Sequence, residues 1–362
     1  MKIRSQYFKE QKSYAQNTPQ VTEQTLDCSL GVNPYGPPRQ ALETARRFDP
    51  SHLGDYPHSH AAHDAIIRHW KEQVSLTPEQ ILLVDGSVSG LYLINALFAD
   101  PGARVLGFIP TFTDMVVNVE LQGMRYLGVP SAAADGCEDV DALLAAMDER
   151  TSLVYIDNPN NPTGQLLPQA ELVRVLERAR ELGVYVLLDE AYGDFVSREE
   201  SILSQLPHFP NLLVLRTFSK GFGLAGLRAG YIVAAPELIG YMSKASNPYT
   251  MSAFSRVVAA AAMEEGDYPA SHGANFAAIK RALRDRTGHR LTMLCTDDRV
   301  PICSLRHSDP NADLQRLLFD HGVLTVSGAE FDDMDASAVR LRVPRPEEAE
   351  PLLRAVEAVD RS

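Results

Sequence analysis

Seven short apolar runs, most of them rich in β-branched residues, alternate with helical patterns through the middle of the 362-residue chain. The predicted strands are Ile81–Val84, Val105–Phe108, Tyr126–Val129, Leu153–Asp157, Val184–Asp189, Leu212–Thr217 and Gly230–Val233. Most of these runs are apolar throughout, which is typical of strands buried on both faces of a sheet. Helix-like segments such as Leu91–Phe98, Asp114–Gln122 and Gln169–Leu182 lie between them. The alternation predicts an α/β fold with a mostly parallel sheet and helices on both sides.

The pattern changes after about residue 250. A long helical stretch over residues 270–286 precedes a second helix near Asp313–His321, two short strands and a closing helix from Glu347. This order predicts a smaller α+β unit. We therefore expect residues 41–250 to form a large domain and residues 251–362 a small C-terminal domain. Residues 1–40 would form an N-terminal arm and part of the small domain.

Charge and cysteine content narrow the class of protein. The chain has 47 acidic and 34 basic residues, a net charge of -13, which argues against nucleic acid or an anionic membrane as the main partner. It contains no apolar run of about twenty residues, and its first sixteen residues lack the apolar core of a signal peptide. Cys28, Cys137, Cys295 and Cys303 show no C-x-x-C or metal-binding spacing. They predict free thiols and a cytoplasmic protein.

The segment "TFSKGFGLAGLRAGY" contains Gly221, Gly223 and Gly226 in the spacing G-x-G-x-x-G. A dinucleotide-binding fingerprint needs these glycines between a strand and a helix, with an acidic residue about twenty positions later. Here the glycines lead into "LRAGYIVAA", a second predicted strand, and the position near Met242 carries no acid. We therefore reject a nicotinamide site. The lysine before the first glycine, Lys220, points to other chemistry.

Three further polar segments follow apolar strands, where ligands bind in open α/β sheets. They are "DGSVSG" (85–90), "DNPNNPTG" (157–164) and "DEAYGDF" (189–195). With the lysine segment, and in this order, they resemble the class I and II aminotransferases, which depend on pyridoxal phosphate. The resemblance covers residues 26–356. It implies the fold type I architecture: a mostly parallel seven-stranded sheet flanked by helices, with a smaller α+β domain.

The resemblance also implies roles for the polar side chains. Lys220 would form a Schiff base with the cofactor aldehyde and then carry protons, and Asp189 would keep the pyridine nitrogen protonated. Asn161 and Tyr192 match the positions that hydrogen-bond the ring oxygen. Phe112 matches the aromatic residue that stacks on the ring. Lys220, Asp189 and Tyr192 would be the catalytic residues.

The cofactor phosphate needs donors and positive charge. Thr217 and Ser219 offer hydroxyl groups, and Arg228 offers a bidentate guanidinium. The segment Ser87, Val88 and Ser89 would present N–H groups at the start of a helix, a natural anion site. The glycines after Lys220 would let the backbone turn tightly beside the cofactor.

Two related groups share the most detail. "NPYGPP" (33–38) and "DYP" (55–57) resemble histidinol-phosphate aminotransferase, and "LDCSLGVNPYGPP" with "RVPRPEEAEPLLRAV" also resembles threonine-phosphate decarboxylase. In both groups a tyrosine at the place of Tyr56 reaches the cofactor phosphate of the partner subunit, which implies a homodimer with shared active sites. Gly31, Val32, Asn161 and Arg340 would contact the substrate, with Arg340 binding its carboxylate.

The chain departs from both groups after "HGV". There the relatives carry an arginine that reads the substrate's phosphate, whereas this chain has Val326 and Ser327. Loss of this arginine argues against histidinol phosphate as the substrate. It favours an ordinary α-amino acid as amino donor and a 2-oxo acid as acceptor. Arg342, two residues after Arg340, could replace the charge, and we leave its role open. "GVLTVSGAEF" also resembles the corresponding loop of general amino-acid transaminases.

Five histidines lie in "SHLGDYPHSHAAHDAIIRH". Their spacing could suggest a metal, but pyridoxal phosphate needs none and we predict no metal site. We leave open whether His58 or His60 contacts the substrate side chain.

The main alternative is a decarboxylase or lyase, because the same residues support cleavage of a different bond at the α-carbon. Histidinol-phosphate transamination is a weaker alternative. A non-catalytic sensor is disfavoured, because such regulators carry an added DNA-binding domain and the start of this chain has neither the length nor the basic charge for one.

Overall fold

The computed structural model of the chain describes residues 5–8, 22, 25–100, 102–132 and 136–362. Its strands are β1 (Leu26–Asp27), β2 (Ile81–Val84), β3 (Arg104–Ile109), β4 (Arg125–Pro130), β5 (Thr151–Asp157), β6 (Tyr185–Asp189), β7 (Leu212–Thr217), β8 (Gly230–Ala234), β9 (Leu291–Met293), β10 (Ile302–His307), β11 (Val323–Leu324), β12 (Val326–Ser327) and β13 (Ala338–Arg342). Its helices are α1 (Arg39–Arg47), α2 (Ala61–Trp70), α3 (Ser87–Leu97), α4 (Thr113–Gln122), α5 (Val140–Ala146), α6 (Gln169–Glu181), α7 (Pro236–Ser243), α8 (Ala253–Met263), α9 (Gly273–Arg284), α10 (Leu314–Asp320) and α11 (Ala349–Arg361).

The strands β2 to β8 form one seven-stranded sheet in the order β2, β8, β7, β6, β5, β3, β4. The pairs β3–β4, β3–β5, β5–β6 and β6–β7 are parallel. Strand β8 is antiparallel to both of its neighbours, β2 and β7. All seven strands predicted from the sequence are present, so the prediction of a mostly parallel seven-stranded sheet is confirmed.

Helices cover both faces of this sheet because successive strand residues point to opposite sides. Val154 and Ile156 of β5 belong to an apolar cluster that includes α1, α2, α5, α6 and α8. Leu153 and Tyr155, which alternate with them, belong to a cluster on the other side that includes α3, α4 and α7. Burying one large apolar side chain in this way stabilises the fold by about 1.5–3 kcal/mol. The unbroken apolar runs are therefore explained by burial on both faces.

The C-terminal part forms a second, smaller layer. Strands β12, β13, β10 and β9 make an antiparallel four-stranded sheet, and β1 pairs in parallel with β11. A separate apolar cluster contains Phe276 of α9, Leu314 of α10 and Leu352 of α11. This agrees with the predicted α+β character of this part. Of the predicted N-terminal arm, residues 1–4, 9–21 and 23–24 lie outside the described residues.

Candidate active site

Three polar residues end three adjacent strands of the seven-stranded sheet. Asp157 ends β5, Asp189 ends β6 and Thr217 ends β7, and Asp157 is the register partner of Asp189. Because the carboxyl ends of parallel strands meet at one edge of a sheet, these side chains gather there. Lys220 follows Thr217 by three residues. The order of the strands therefore brings the predicted lysine and aspartate to one edge.

Asp189 is a buried carboxylate held by two donors. Its side chain is 3% exposed. It accepts hydrogen bonds from the Tyr155 hydroxyl at 3.2 Å and from the Ala191 N–H at 3.0 Å. Burial, followed by the nearby charge of Asp157, raises the pKa of Asp189 to about 7, although Lys220 acts in the opposite direction. An ionised Asp189 therefore needs a cationic partner that the neighbouring residues supply only in part.

Sequence reasoning did not identify Tyr155. The signal was a tyrosine inside an otherwise apolar strand, two residues before Asp157 and therefore on the same face of β5. A buried tyrosine usually finds a partner for its hydroxyl. Here that partner is Asp189.

Asp157 was also missed as a functional residue, and it organises the turn that carries Asn161. It accepts hydrogen bonds from the Thr111 hydroxyl at 2.7 Å, from Asn160 Nδ2 at 3.1 Å and from the Asn161 N–H at 2.8 Å. Burial raises its pKa to about 6. The network ties the end of β5 to the segment before α4, and it sets the position of the Asn161 side chain through its own backbone.

The lysine segment packs against residues 33–36. The Lys220 carbonyl accepts from the Asn33 N–H at 3.0 Å, and Asn33 Nδ2 donates to the Gly221 carbonyl at 2.8 Å. Gly223 has a φ of +63°, and a Cβ there would lie 2.6 Å from the Gly36 backbone carbon. The glycine is thus required by a left-handed conformation and by close contact between two backbones. This accounts for Gly223 of the glycine-rich segment without a nucleotide.

Tyr192, Arg340 and Gly31 converge beside the lysine. Lys220 Nζ lies 5.7 Å from the centroid of the Tyr192 ring. Burial raises the pKa of the Tyr192 hydroxyl, and the neighbouring Arg340 guanidinium, through its charge and a hydrogen bond, acts against that rise. A Cβ at Gly31 would collide with this hydroxyl and lie 3.1 Å from Arg340 Nη1. Glycine is therefore required at position 31, and half-buried Val32 follows it.

The predicted phosphate-binding residues surround the first turn of α3. Ser87, Val88 and Ser89 open this helix, directly after Gly86, whose φ is +82°. A Cβ at Gly86 would lie 2.5 Å from Arg228 Nη2, so the guanidinium lies against the helix start. The N–H groups of a first helical turn have no acceptor within the helix, so this region can bind an anion.

The remaining hydroxyl groups reach the same region through the sheet. Thr217 pairs with Gly230 across β7 and β8, and a Cβ on Gly230 would lie 3.2 Å from the Ser87 nitrogen. Thr217 Oγ1 donates to Ser219 Oγ at 3.0 Å. The structure thus brings together the start of α3, the end of β7 and the guanidinium of Arg228.

Phe112 caps α4 and is half-buried against the cluster that includes α3 and α4. Two residues later, burial raises the pKa of Asp114, and the charge of Lys220 acts against that rise. The start of α4 therefore borders the lysine. Stacking of Phe112 on the cofactor remains a prediction.

Tyr56 lies apart from this cluster. It is 70% exposed and stacks on Tyr249 with ring centroids 4.5 Å apart. His58 packs edge-on against the same Tyr249 ring. Tyr56 and His58 line a 660 Å³ cavity with residues of the segment 48–59 and of α8. His60 is exposed, immediately before α2. The structure does not bring these three side chains to Lys220 of the same chain.

Arg340 is fully buried in β13 and faces the site. It donates to the Ser29 carbonyl, and its Nη1 donates to Asn161 Oδ1 at 3.5 Å. Its register partner in β12 is Val326, which is 2% exposed. Residues directly opposite in an antiparallel pair share a face. The neighbour of Arg340 in β12 is therefore apolar, whereas its neighbour in β10 is Ser304.

Arg342 has a different partner. It lies two residues further along β13, and its Nη2 donates to the Asp27 carbonyl at 2.5 Å. This bond holds the guanidinium on the end of β1.

The prediction of four free thiols is wrong for two of them. Cys137 and Cys295 form a disulfide with their Cα atoms 5.2 Å apart, whereas Cys28 and Cys303 are free and buried. The two half-cystines are separated by 158 positions in sequence. Spacing rules therefore could not reveal the pair, because the fold alone brings their segments together.

Two further observations bear on the class of protein. Within residues 5–8, 22, 25–100, 102–132 and 136–362, no three or more histidine, cysteine, aspartate or glutamate side chains are grouped to hold a metal ion. None of the helices in these ranges is long and apolar enough to cross a membrane.

The profile of the family described as aminotransferase class I and II matches residues 23–356. The chain belongs to this family. It is 29% identical over 334 residues to histidinol-phosphate aminotransferase of Bacillus velezensis, covering 91% of this chain and 90% of the relative.

Two solved structures have the same architecture. The histidinol-phosphate aminotransferase of Sinorhizobium meliloti, in complex with pyridoxal-5'-phosphate, superposes with a TM-score of 0.78 and 26% identity over 93% of this chain and 91% of that one. The L-threonine-O-3-phosphate decarboxylase of Porphyromonas gingivalis superposes with a TM-score of 0.76 and 22% identity over 93% of this chain and 100% of that one. The predicted family and the fold type I architecture are confirmed. This protein is therefore a pyridoxal-phosphate-dependent aminotransferase of class I and II.

Proposed function

We propose that this aminotransferase moves the amino group of an unphosphorylated α-amino acid to a 2-oxo acid. The observation that carries this choice is the pairing of Val326 with Arg340. A phosphate bound beside Arg340 would face an apolar side chain, and a buried charge without a partner is costly. One guanidinium is enough for the carboxylate that every α-amino acid carries.

The residues at the sheet edge fit pyridoxal phosphate. The buried Asp189, with a pKa raised to about 7, would be the partner of a protonated ring nitrogen. The buried Tyr192 hydroxyl, which lies beside the Arg340 guanidinium, would donate with Asn161 to the ring oxygen. Arg228, Thr217, Ser219 and the first turn of α3, from Ser87 to Ser89, would hold the phosphate. Phe112 would lie against the ring.

When bound, the cofactor supplies an electron sink for negative charge at the substrate's α-carbon. The Lys220 amine would take the α-proton and return it one carbon away. Arg340 would bind the carboxylate and so set which bond at the α-carbon is aligned to break. Gly31 leaves the space in which Arg340 and the Tyr192 hydroxyl meet, and Val32 would border the substrate beside it.

The test is to incubate the enzyme with a panel of amino acids, identify the products and measure kcat/KM for each substrate. We expect a 2-oxo acid as product, with kcat/KM for an ordinary amino acid at least about tenfold above that for histidinol phosphate, equivalent to about 1.4 kcal/mol. An amine and carbon dioxide would instead identify the decarboxylase alternative. Histidinol phosphate itself is the second candidate amino donor, because the relative from Bacillus velezensis carries that name.

The active sites of this enzyme would be shared in a homodimer. Support comes from Tyr56, which is 70% exposed and packs against Tyr249 and not against the lysine cluster of its own chain. In the dimer its hydroxyl would reach the cofactor phosphate of the partner.

Hybrid dimers test this arrangement. Mixing Lys220→Ala chains with Tyr56→Phe chains should restore activity above that of either variant alone, because one of the two sites in each hybrid keeps both residues. A strictly monomeric protein by light scattering at micromolar concentration would contradict the shared site. We also retain as proposals a cytoplasmic location and the division into residues 1–40, 41–250 and 251–362.

A further inference from the structure

The disulfide joins two segments that flank the turn carrying Asn161. Cys137 lies between β4 and α5, and Cys295 lies between β9 and β10. Both half-cystines are partly exposed, whereas Cys28 and Cys303 are fully buried. The bond thus connects the seven-stranded sheet region with the four-stranded sheet region where a small reductant can reach it.

Hydrogen bonds on both sides connect this disulfide to the turn. The Glu138 N–H, next to Cys137, donates to Gln165 Oε1 at 3.0 Å. The Asp297 N–H, two residues after Cys295, donates to the Gly164 carbonyl at 2.9 Å. Since Gly164 and Gln165 are adjacent, the disulfide closes a ring that runs through the end of the turn.

The same two residues close the turn internally. The Asn160 N–H donates to the Gln165 carbonyl, and the Gly164 N–H donates to the Asn160 carbonyl, both at 2.8 Å. Gly164 has a φ of +75°, and a Cβ there would lie 2.8 Å from Thr296 Oγ1, so the segment after Cys295 lies directly against the turn. Movement of residues 164–165 would therefore move Asn161.

We propose that Cys137 and Cys295 form a redox site at which a small dithiol reduces the disulfide, and that the oxidised pair braces the turn holding Asn161. In the exchange, the Cys137–Cys295 S–S bond breaks and two thiols form. The dithiol loses two protons and two electrons and closes its own S–S bond, so the reaction balances. An effect of reduction on catalysis rests on the proposed role of Asn161. The bracing of the turn by the disulfide does not depend on that role.

The two remaining cysteines serve as internal controls. Burial raises the pKa of the Cys28 thiol to about 12, and burial also raises that of Cys303. Thiols of this kind react slowly because the thiolate is the nucleophile. Alkylation of the native protein followed by mass analysis should add no label to the oxidised chain and two labels, at positions 137 and 295, after dithiothreitol treatment.

The brace is tested by hydrogen exchange on the cofactor-free chain, oxidised with glutathione disulfide or reduced with dithiothreitol. Reduction should speed exchange of the peptide covering residues 157–167 severalfold and leave the peptide covering β6 unchanged. The double variant Cys137→Ser/Cys295→Ser should exchange at the rate of the reduced wild type, and dithiothreitol should not change that rate. The proposal is overturned if Cys137 and Cys295 remain open to alkylation after glutathione disulfide treatment, or if reduction leaves exchange at 157–167 unchanged.

Turnover of the cofactor-loaded enzyme separates this proposal from the role of Asn161. If reduction speeds hydrogen exchange at residues 157–167 and also lowers kcat/KM several-fold, the result supports both the brace and the proposed role of Asn161. Faster exchange with unchanged kcat/KM supports the brace and counts against the role of Asn161.

Discussion

Asp189 and Arg340 are both buried charged side chains, but different features of the fold position them. Asp189 ends β6, beside Asp157 at the end of β5, so the order of parallel strands alone brings it to the edge where ligands bind. Arg340 lies in the antiparallel β13, and its surroundings come from Val326 of β12 and the Ser29 carbonyl near β1. The proposed cofactor side is therefore built from the ends of parallel strands, and the proposed substrate side depends on the register of β12 and β13.

The residues at the strand ends can be kept while the register partners change, because the donors to Asp189, Tyr155 and Ala191, lie outside β12. Under the proposed function, we expect substitution at position 326 to alter substrate choice without altering the chemistry at the α-carbon. The expected effects of mutation should be largest on the cofactor side and smallest at Val326.

Lys220→Ala should have the largest effect. The variant should fold and bind the cofactor through its phosphate, with kcat reduced by at least about 10⁴-fold, because one amine serves both in covalent exchange and in proton transfer. Single-turnover kinetics and the absorption band of the bound cofactor measure the two properties separately. Lys244→Ala, at an exposed lysine after α7, is the matched control. Near-normal turnover by Lys220→Ala would remove the basis of the whole assignment.

The same contrast explains what could be predicted from the sequence. Strands with unbroken apolar runs were found because burial on both faces leaves no alternation. Lys220 was singled out because it precedes the glycine-rich segment after β7, and Asp189 because it ends a predicted strand, while the roles of both came from the family resemblance. Within the smaller sheet, β9 and β10 were missed, since Leu291–Met293 is very short and Ile302–His307 contains polar and charged residues.

Contacts between residues distant in sequence could not be predicted. Thr111 donates to Asp157, 46 positions away, and Tyr155 of β5 donates to Asp189 of the adjacent strand β6. The partner of Arg342 is a backbone carbonyl at Asp27, 315 positions away. Such pairs depend on strand order and register, which local patterns do not contain.

Asp189→Asn should have the next largest effect, with kcat reduced about 10²–10³-fold while the cofactor still binds. The amide keeps the shape but removes the charge that would hold the ring proton. Tyr155→Phe removes only one hydrogen bond to the carboxylate, so its loss should be about tenfold at most. If Tyr155→Phe were the more damaging change, Asp189 would not be the partner of the ring.

The cofactor-free protein gives an independent check on Asp189. Because burial raises its pKa from the ordinary value of 3.8 to about 7, ionising it in the folded state costs stability. That cost begins above about pH 4 and is complete above about pH 7. The Tm of Asp189→Asn should therefore exceed that of the wild type by a few degrees at pH 8 and by less at pH 5.

Arg340→Ala should lower kcat/KM by about 10²-fold, from the roughly 2–3 kcal/mol of a charge-assisted pair. KM should rise and kcat should fall together, because the guanidinium both binds the carboxylate and aligns the α-carbon. Arg342→Ala is the matched control two residues away, since its guanidinium bonds the Asp27 carbonyl. A larger loss from Arg342→Ala would show that the wrong arginine has been placed in the site.

The smallest expected effect is at Val326, and it bears most directly on substrate choice. Val326→Arg should shift the ratio of kcat/KM values toward histidinol phosphate by about tenfold or more, because it places a second guanidinium opposite Arg340. Val326→Met is the matched control, with a long side chain and no charge. Circular dichroism and Tm show whether the buried arginine is tolerated.

If Val326→Arg is unstable, the substrate preference of the wild-type enzyme still tests the proposal. A buried phosphate facing Val326 would lack a charged partner, so wild-type kcat/KM should favour the unphosphorylated amino acid by at least about tenfold. Preference for a phosphorylated substrate would contradict the proposal. If that preference also disappeared in Arg342→Ala, Arg342 would have to leave the Asp27 carbonyl to read the phosphate. The substrate side would then be set by a movable side chain and not by the register of β12 and β13.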